Sequence, residues 1–170
     1  MTDIEYAGLR IEALDSSHDR KAFSCGVDSL DRYFRVQAGQ EARKHIAATF
    51  VLLGPDSEVA GYHTLSATSV ALGELPSDVA RRLPKYPLVP ATLLGRLAVD
   101  QRRRGKGLGR FMLADALWHA ARSEIASFAV VVDAKDEAAR DFYRREGFLP
   151  MPGRPLKLFL PMAGVVRLFR

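Results

Sequence analysis

The sequence is poor in cysteine and has no long apolar run. Cys25 is the only cysteine among 170 residues, which excludes an intramolecular disulfide scaffold and zinc sites with two or more cysteines. No stretch approaches the length of about 18 apolar residues that a membrane-spanning helix needs. Residues 1–10 carry Asp3 and Glu5 and lack an apolar core, so we expect no secretory signal, no membrane partner and a cytoplasmic protein.

The four histidines do not show the paired spacing of a metalloenzyme helix, and we expect no metal site. Apolar residues make up 48% and charged residues 26% of the chain, a composition that is typical of a folded globular protein. The length favours one domain over residues 1–170. The net charge of +5 and the pI near 9.6 favour a polyanionic partner, such as nucleic acid, an acidic protein or a phosphorylated cofactor.

The changing period of the apolar residues predicts alternating strands and helices. In chain order, we expect a strand over 6–14, helices over 28–34 and 37–44, a hairpin of 47–53 and 59–72, an irregular proline-rich segment over 75–90 with one helical turn, a strand over 92–99, a helix over 108–125, a strand over 128–132, a helix over 136–145, and short strands near 148 and over 156–161. This order is typical of an α/β domain with a mixed sheet.

Two details of the helices are also predicted. Asp28 is the expected N-cap of the first helix, because aspartate accepts hydrogen bonds from the first free amides. The apolar stripe of the helix over 108–125 is predicted to consist of Phe111, Ala114, Leu117, Trp118, Ala121 and Ile125.

The most informative segment joins the strand over 92–99 to the helix over 108–125. Glycines alternate at Gly105, Gly107 and Gly109, and basic residues surround them. Glycine allows backbone amides to approach a ligand closely, and the first amides of a helix have no internal partners. The segment is therefore predicted to bind a pyrophosphate at a helix N-terminus.

Two common phosphate loops do not fit this segment. Lys106 is followed by Gly107 rather than by serine or threonine, so the magnesium ligand of an NTP-hydrolysing loop is missing. Arg110 occupies the sixth position of a dinucleotide fingerprint that begins at Gly105 and breaks that pattern. The sequence Arg102-x-x-Gly105-x-Gly107 resembles instead the acetyl-CoA loop of the GNAT acetyltransferases.

A second motif agrees with that resemblance. The string A-x-x-F-Y-x-x-x-G-F over residues 139–148 resembles the GNAT helix that carries the catalytic tyrosine. The resemblance implies that Tyr143 protonates the departing CoA thiolate as a general acid. A phenol with a pKa of about 10 can protonate a thiolate with a pKa of about 8.5 when the developing charge is stabilised locally.

The resemblance also implies the fold and the cofactor contacts. GNAT domains have a central, mostly antiparallel, twisted mixed sheet with a splayed strand pair and flanking helices. The main chain of the splayed strand would pair with the pantetheine arm of acetyl-CoA, and the loop amides would hold its diphosphate. The residues implied are Leu97, Ala98, Val99, Arg104, Gly105, Lys106, Gly107, Leu108, Gly109 and Asp133.

The predicted strand over 92–99 contains no carboxylate that could deprotonate an acceptor amine. A lysine amine, with a pKa of about 10.4, needs such a base, whereas an α-amine with a pKa of about 7.7–8.0 is already partly neutral. The absence therefore favours an α-amine acceptor, although Asp133 or Glu41 could supply a base from another segment. Arg96 is the one charge in the strand, and it could bind an acidic group of the acceptor or form an internal ion pair.

Basic residues cluster beyond what the phosphates of one CoA require. Arg81 and Arg82 lie in the proline-rich segment, and Arg102 and Arg103 lie beside the glycine loop. This clustering, together with Arg96, favours an RNA acceptor. The alternative is that these charges serve solubility and surface ion pairs.

Longer stretches are similar to one branch of the family. Residues 23–33, 61–66, 83–87, 94–100 and 158–162 resemble the GNAT toxins of bacterial type II toxin–antitoxin systems. That branch acetylates the α-amine of the amino acid on charged tRNA and blocks translation. The resemblance implies a ribbon-helix-helix antitoxin, contact with operator DNA only through that antitoxin, and a homodimer.

Two other functions stay open at the level of sequence. The enzyme could acetylate a protein N-terminus or a small-molecule amine. The chain could also be a non-enzymatic binding or regulatory module that responds to CoA, although the intact Tyr143 argues against this.

Overall fold

The computed structural model describes residues 8–170, and seven strands form one mixed sheet in the order β1-β2-β3-β4-β5-β7-β6. The strands are β1 (Arg10–Ala13), β2 (Ala48–Leu53), β3 (Val59–Ala71), β4 (Leu88–Val99), β5 (Ala129–Asp133), β6 (Leu149–Met151) and β7 (Arg154–Pro161). The helices are α1 (Asp28–Arg32), α2 (Ala38–Arg43), α3 (Ser77–Ala80), α4 (Leu108–Arg122), α5 (Glu137–Arg145) and α6 (Met162–Arg167). The predicted α/β class with a mixed, mostly antiparallel sheet is confirmed.

Main-chain contacts divide the chain into two compact units. The first unit runs up to Ser66 and includes Gly95–Ala116, and the second comprises Ala67–Leu94 and Leu117–Arg170. Because β3, β4 and α4 each contribute residues to both units, no unit is a continuous piece of chain.

In the first unit, aromatic side chains form the centre of the core. The rings of Phe34 and Tyr62 stack with centroids 4.4 Å apart, and Phe23 meets Phe34 edge-on at 5.0 Å. Tyr62 is fully buried, and its hydroxyl donates to the carbonyl of Leu30 at 2.7 Å. Burial of each such ring stabilises the fold by about 1.5–3 kcal/mol.

The predicted helices over 28–34 and 37–44 are one helical segment. A π-helical stretch over Tyr33–Gln37 joins α1 to α2. The N-cap prediction for Asp28 is wrong: Val27 is the extended cap residue, and its carbonyl accepts from the amides of Leu30 and Asp31. The N-cap therefore lies one residue before Asp28, the position that the sequence predicts.

In the second unit, β5 lies between β4 and β7 and is covered on both faces. Its residues Ala129 to Val132 are all buried. This environment explains why β5 is a continuous apolar run rather than an alternating one. The parallel ladder between β4 and β5 extends only from Ala91–Ala129 to Leu94–Val132. Strand β4 continues to Val99 beyond that ladder, whereas β5 ends at Asp133.

Several elements differ from the prediction. Strand β4 begins at Leu88, inside the segment that was predicted to be irregular, and the carbonyl of Pro90 accepts a hydrogen bond from the amide of Phe128 at 2.8 Å. Helix α6, which follows β7, was not predicted. Strand β1 spans Arg10–Ala13, whereas the first two residues of the strand predicted over 6–14 lie outside the described residues.

The predicted apolar stripe of α4 is confirmed at Leu117, which is buried, and is partly right at the half-buried Phe111 and Ala121. It is wrong at the exposed Ala114, Trp118 and Ile125. The buried residues of this helix are Leu108, Met112, Leu113, Ala116, Leu117 and Ala120. Trp118 is 42% exposed and stacks with the guanidinium of Arg122, 4.9 Å from the ring centroid. Helix α4 ends at Arg122, and Ile125 beyond it is exposed.

Gly61 in β3 is predicted to be sensitive to any added side chain. A Cβ at Gly61 would lie 2.8 Å from the carbonyl oxygen of Ala98 and 2.8 Å from the thioether of Met112. Gly61→Ala is expected to lower the free energy of unfolding by about 1–3 kcal/mol, because the strand and helix must shift to make room. Urea titration measures this loss. Gly73→Ala is the matched control, since a Cβ there meets no atom within 4 Å; equal midpoints for the two variants would contradict the prediction.

Candidate active site

The loop between β4 and α4 has the backbone that its glycines predict. Gly105 and Gly107 adopt positive φ angles of 78° and 72°. A Cβ at Gly105 would meet no atom within 4 Å. Glycine is therefore favoured there by the positive φ angle and not by a lack of space for a side chain. Helix α4 follows directly and is 15 residues long.

The amides of residues 104–109 are free to bind an anion. Within residues 8–170, none of these amides donates to a main-chain carbonyl or to a side chain. They lie at the positive end of the α4 macrodipole. A diphosphate fits this arrangement, because unpaired amides at a helix N-terminus bind phosphate oxygens.

The buried carboxylate of Asp100 fixes the start of the loop. One oxygen accepts from the amide and Nε of Arg102 at 2.9 and 3.0 Å, and the other accepts from the amide of Ser24 at 3.2 Å and from the Arg102 guanidinium at 3.1 Å. Burial opposes ionisation, but these hydrogen bonds outweigh it and hold the pKa of Asp100 below its usual value. The loop is therefore tied to the segment around Ser24.

Further contacts tie the loop to the same segment. The Arg104 guanidinium donates to the carbonyl of Cys25, and Gln101 bonds to Ser24 through both its amide and its side chain. The resemblance of residues 23–33 to one GNAT branch was the only sequence signal for this role. No local pattern indicated that Ser24 and Cys25 position the loop.

The end of β4 packs against the helix that follows the loop. Leu97 and Val99 are half-buried against the cluster that contains Leu108 and Met112, and Ala98 is buried in the aromatic core. These contacts hold the last three residues of β4 in place before the loop. The predicted cofactor contacts of Leu97, Ala98 and Val99 stay predictions.

Tyr143 lies in the last turn of α5, in the second unit. Its side chain is only 8% exposed, and the rings of Phe142 and Phe148 lie edge-on at centroid distances of 5.1 and 5.4 Å. Burial raises the pKa of the Tyr143 phenol well above its ordinary value. A phenol in this environment keeps its proton at neutral pH, as a general acid must.

Burial raises the pKa of three tyrosines, Tyr33, Tyr62 and Tyr143. The folded protein is expected to show fewer phenolates at about pH 11 than the chain unfolded in guanidinium, where tyrosines titrate near pH 10. The stability that these groups contribute is complete below about pH 10 and falls as pH rises further, because the unfolded phenols ionise first. Ultraviolet absorbance measures this, and identical folded and unfolded titrations would contradict it.

Within residues 8–170, Arg96 contacts an aromatic ring and forms no ion pair. Its guanidinium lies over the ring of Tyr33, 3.4 Å from the centroid. A cation over an aromatic face is attracted to the ring quadrupole. The structure thus gives Arg96 a third role that sequence reasoning did not consider, with a partner that lies far away in the chain.

The predicted RNA-binding arginines differ in their surroundings. Arg81 and Arg82 are exposed, and neither forms an ion pair within the described part of the chain. Arg102 pairs with Asp100, and Arg103 pairs with Glu58 at 3.0 Å. Two of these four arginines, Arg102 and Arg103, are therefore already paired with carboxylates of the protein.

The remaining predicted cofactor residue is Asp133, the exposed last residue of β5. It lines a surface cavity with Ala134 and residues 153–157. Among residues 8–170, no three histidine, cysteine or acidic side chains are grouped as metal ligands. In that same range, every helix is too short or too polar to cross a bilayer.

A strand that leads into a glycine loop with unpaired amides, followed directly by a helix, fits one class of protein: an acyltransferase that takes its acyl group from a nucleotide thioester. The family model for the acetyltransferase (GNAT) domain matches residues 56–150. The chain belongs to the GNAT acetyltransferase family and, by the relatives described next, to its branch of bacterial toxins.

Two relatives match nearly the whole chain. The "Probable toxin TacT" of Sinorhizobium fredii (strain NBRC 101917 / NGR234) is 31% identical over 166 residues, 91% of this chain and 92% of that protein. The "tRNA-acetylating toxin" of Mycobacterium tuberculosis (strain ATCC 25618 / H37Rv) is 36% identical over 151 residues, 88% of this chain and 89% of that protein.

Solved structures of similar proteins have the same fold. AtaT complexed with acetyl-methionyl-tRNAfMet has a TM-score of 0.87 and 30% identity, covering 95% of this chain and 99% of that one. AtaTR bound with AcCoA has a TM-score of 0.82 and 30% identity, with coverage of 96% and 99%. A tyrosine-to-phenylalanine variant of AtaT bound to the C-terminus of the antitoxin AtaR has a TM-score of 0.79 and 28% identity, with coverage of 95% and 98%.

Proposed function

We propose that this acetyltransferase moves the acetyl group of acetyl-CoA to the α-amine of the amino acid on charged tRNA and so blocks translation. The observation that carries the proposal is the match to a tRNA-acetylating toxin over 88% of the chain. The anion-binding amides of residues 104–109 support it, because they supply the cofactor site that such an activity needs.

Different residues of the chain bind acetyl-CoA and donate the proton. The amides of residues 104–109 bind the diphosphate, and the main chain of Leu97 and Val99 pairs with the pantetheine arm. Acetyl-CoA supplies an activated acetyl thioester. Tyr143 holds a proton on its hydroxyl and donates it to the departing thiolate. Because the pKa of the phenol is raised, this transfer requires a thiolate that is more basic in the site than in bulk water.

The acceptor is proposed to be an α-amine on RNA. Strand β4 presents no carboxylate, so a lysine amine would lack a base on that strand. Arg81 and Arg82 are proposed to contact tRNA phosphates, because their charges are not neutralised by neighbours within residues 8–170. Arg102 and Arg103 contribute less, since each already holds a carboxylate.

The proposed assembly follows the toxin branch. Residues 1–170 act as one domain, because β3, β4 and α4 each supply residues to both units. We propose a homodimer in the cytoplasm that is neutralised by a ribbon-helix-helix antitoxin and that reaches operator DNA only through that antitoxin. The structure of AtaT with the C-terminus of its antitoxin supports the antitoxin partner.

Acetylation of purified charged tRNA with labelled acetyl-CoA tests the function. We expect label on the aminoacyl end, and none on uncharged tRNA. Label on a protein N-terminus or a polyamine, with none on charged tRNA, would replace the proposed acceptor by one of those amines. Binding of acetyl-CoA without transfer to any of these amines would favour the non-enzymatic module.

A further inference from the structure

Two guanidinium groups meet above α2 in the first unit with no carboxylate between them. A Cβ at Gly39 would lie 3.3 Å from Nη1 of Arg43, and 3.4 and 3.5 Å from Nη1 and Nη2 of Arg20. Both side chains therefore end at the same place, over a residue that has no side chain of its own. Within residues 8–170, neither arginine forms an ion pair.

Arg20 is held in this position by a reciprocal pair of hydrogen bonds. Its Nη1 donates to the carbonyl of Phe34 at 2.9 Å, and Nη1 of Arg35 donates to the carbonyl of Phe23 at 2.8 Å. The segment around residue 20 is thereby tied to the π-helical stretch in both directions. Since a guanidinium has five N–H groups, the others of Arg20 can bind a ligand. A cation that is already held in place loses less side-chain freedom on binding.

The surface around the two arginines is basic. Between residues 32 and 46, the exposed side chains with a full charge are those of Arg32, Arg35, Arg43 and Lys44. The one acidic residue of this stretch, Glu41, is half-buried. Like charges that lie together repel each other, and an anion bound between them removes that repulsion. This surface therefore fits a ligand with negative charge.

A phosphate is the anion that fits two guanidinium groups best. Its oxygens project from one phosphorus in different directions, so that each can accept hydrogen bonds from a different arginine. A row of phosphates, as in the backbone of RNA, also matches the flanking cations of Arg32 and Lys44. Free phosphate and the phosphates of acetyl-CoA have the same chemistry, and affinity measurements separate these sources from RNA.

The arginine pair belongs to the same unit as the glycine loop. Arg20 precedes Ser24 by four residues, which an extended chain spans in at most about 14 Å. The amide of Ser24 donates to Asp100, where the loop begins, and the Arg104 guanidinium donates to the carbonyl of Cys25. A phosphate bound by the pair therefore lies within reach of an RNA whose aminoacyl end meets the cofactor at this loop.

We propose that Arg20 and Arg43 bind one backbone phosphate of the acceptor tRNA over Gly39, and that Arg32 and Lys44 extend this contact along the strand. The inference rests on the proposed transfer to charged tRNA. The contact holds the RNA while its aminoacyl end reacts, and these residues take no part in proton transfer.

The salt dependence of tRNA binding tests the contact. Arg43→Gln is expected to weaken binding of charged tRNA by about three- to fivefold at low salt, and to lower the slope of log Kd against log salt concentration by about 1. Arg167→Gln is the matched control, because Arg167 is an exposed arginine whose Nη2 lies 3.9 Å from a Cβ at Gly164 in α6. A lower melting temperature without loss of tRNA affinity would show that Arg43 serves the C-terminus of α2 and would overturn the inference.

A carboxylate placed between the two guanidinium groups gives a second test that keeps both arginines. Gly39→Asp is expected to pair with them, to weaken tRNA binding at least as much as Arg43→Gln does, and to leave the melting temperature equal or higher, because repulsion is replaced by attraction and glycine leaves the helix. Gly39→Asn has nearly the same shape without the charge, and it is expected to bind tRNA more tightly than Gly39→Asp. Equal tRNA affinities for these two variants would overturn the inference.

Two further ligands separate RNA from the other sources of negative charge. The acetyl-CoA Kd of Arg43→Gln and Gly39→Asp is expected to equal that of the wild type, and a weaker Kd would assign the pair to a phosphate of the cofactor. Polyglutamate is expected to bind the wild type more weakly than tRNA does. A loss of polyglutamate binding in Arg43→Gln with unchanged tRNA binding would assign the surface to an acidic protein. Either result would overturn the inference.

The acceptor decides between failure of this inference and failure of the proposed function. An amino acid methyl ester has the same α-amine and no phosphate, so its acetylation is expected to be equal in the wild type and in all variants, whereas kcat/KM for charged tRNA falls with tRNA affinity. Equal losses for both acceptors would show that the arginines serve the fold or the cofactor, and would overturn the phosphate site alone. Wild-type protein that acetylates no charged tRNA would overturn the proposed function instead.

Discussion

Tyr143→Phe is expected to lower kcat by about a hundredfold to ten-thousandfold, the range that general acids contribute, and to leave acetyl-CoA binding nearly intact. The substitution removes only a hydroxyl, which has no hydrogen-bond partner within residues 8–170, and keeps the ring between Phe142 and Phe148. The fold is therefore expected to be unaffected. Expression of this variant is expected to arrest growth no longer.

Kinetics and calorimetry together check this prediction. Tyr86→Phe is the matched control, because it removes the same hydroxyl from a tyrosine that is 69% exposed. A Tyr143→Phe enzyme with wild-type kcat would remove Tyr143 from the role of acid. A variant that fails to bind acetyl-CoA would indicate that the hydroxyl acts in binding rather than in proton transfer.

Asp100→Asn is expected to lower the free energy of unfolding by about 2–4 kcal/mol, because several hydrogen bonds to a buried charge are lost. The amide nitrogen of asparagine would face donors from Ser24 or Arg102. Acetyl-CoA binding is expected to weaken as well, since the loop loses its attachment to the segment around Ser24. Denaturant titration and calorimetry measure the two effects.

The acid dependence of stability gives a second readout for the same carboxylate. The pKa of Asp100 is lower in the folded protein than its ordinary 3.8, so its contribution is complete above that value and is lost as pH falls below it. Asp100→Asn is expected to flatten this part of the curve. Asp78→Asn, at an exposed position, should leave it unchanged, and an unchanged curve for Asp100→Asn would contradict the prediction.

Sequence patterns failed where the sequence itself is ambiguous. Helix α4 contains alanine and leucine on most of its faces, so a shifted stripe that included Trp118 fitted the period as well as the buried one. Packing against the core around Met112 selected the face. The sequence also overestimates the number of unpaired positive charges beside the glycine loop, because Asp100 and Glu58 pair with Arg102 and Arg103 only after folding.

The sequence by itself determined the glycine loop before α4, the helix of Tyr143 and the α/β class, because each depends on a contiguous stretch of chain whose backbone chemistry is local. Only the tertiary structure decided which charges remain free. The contact of Arg96 with Tyr33 joins β4 to a helical segment that lies far away in the chain. Such contacts depend on packing between elements, which no local spacing encodes.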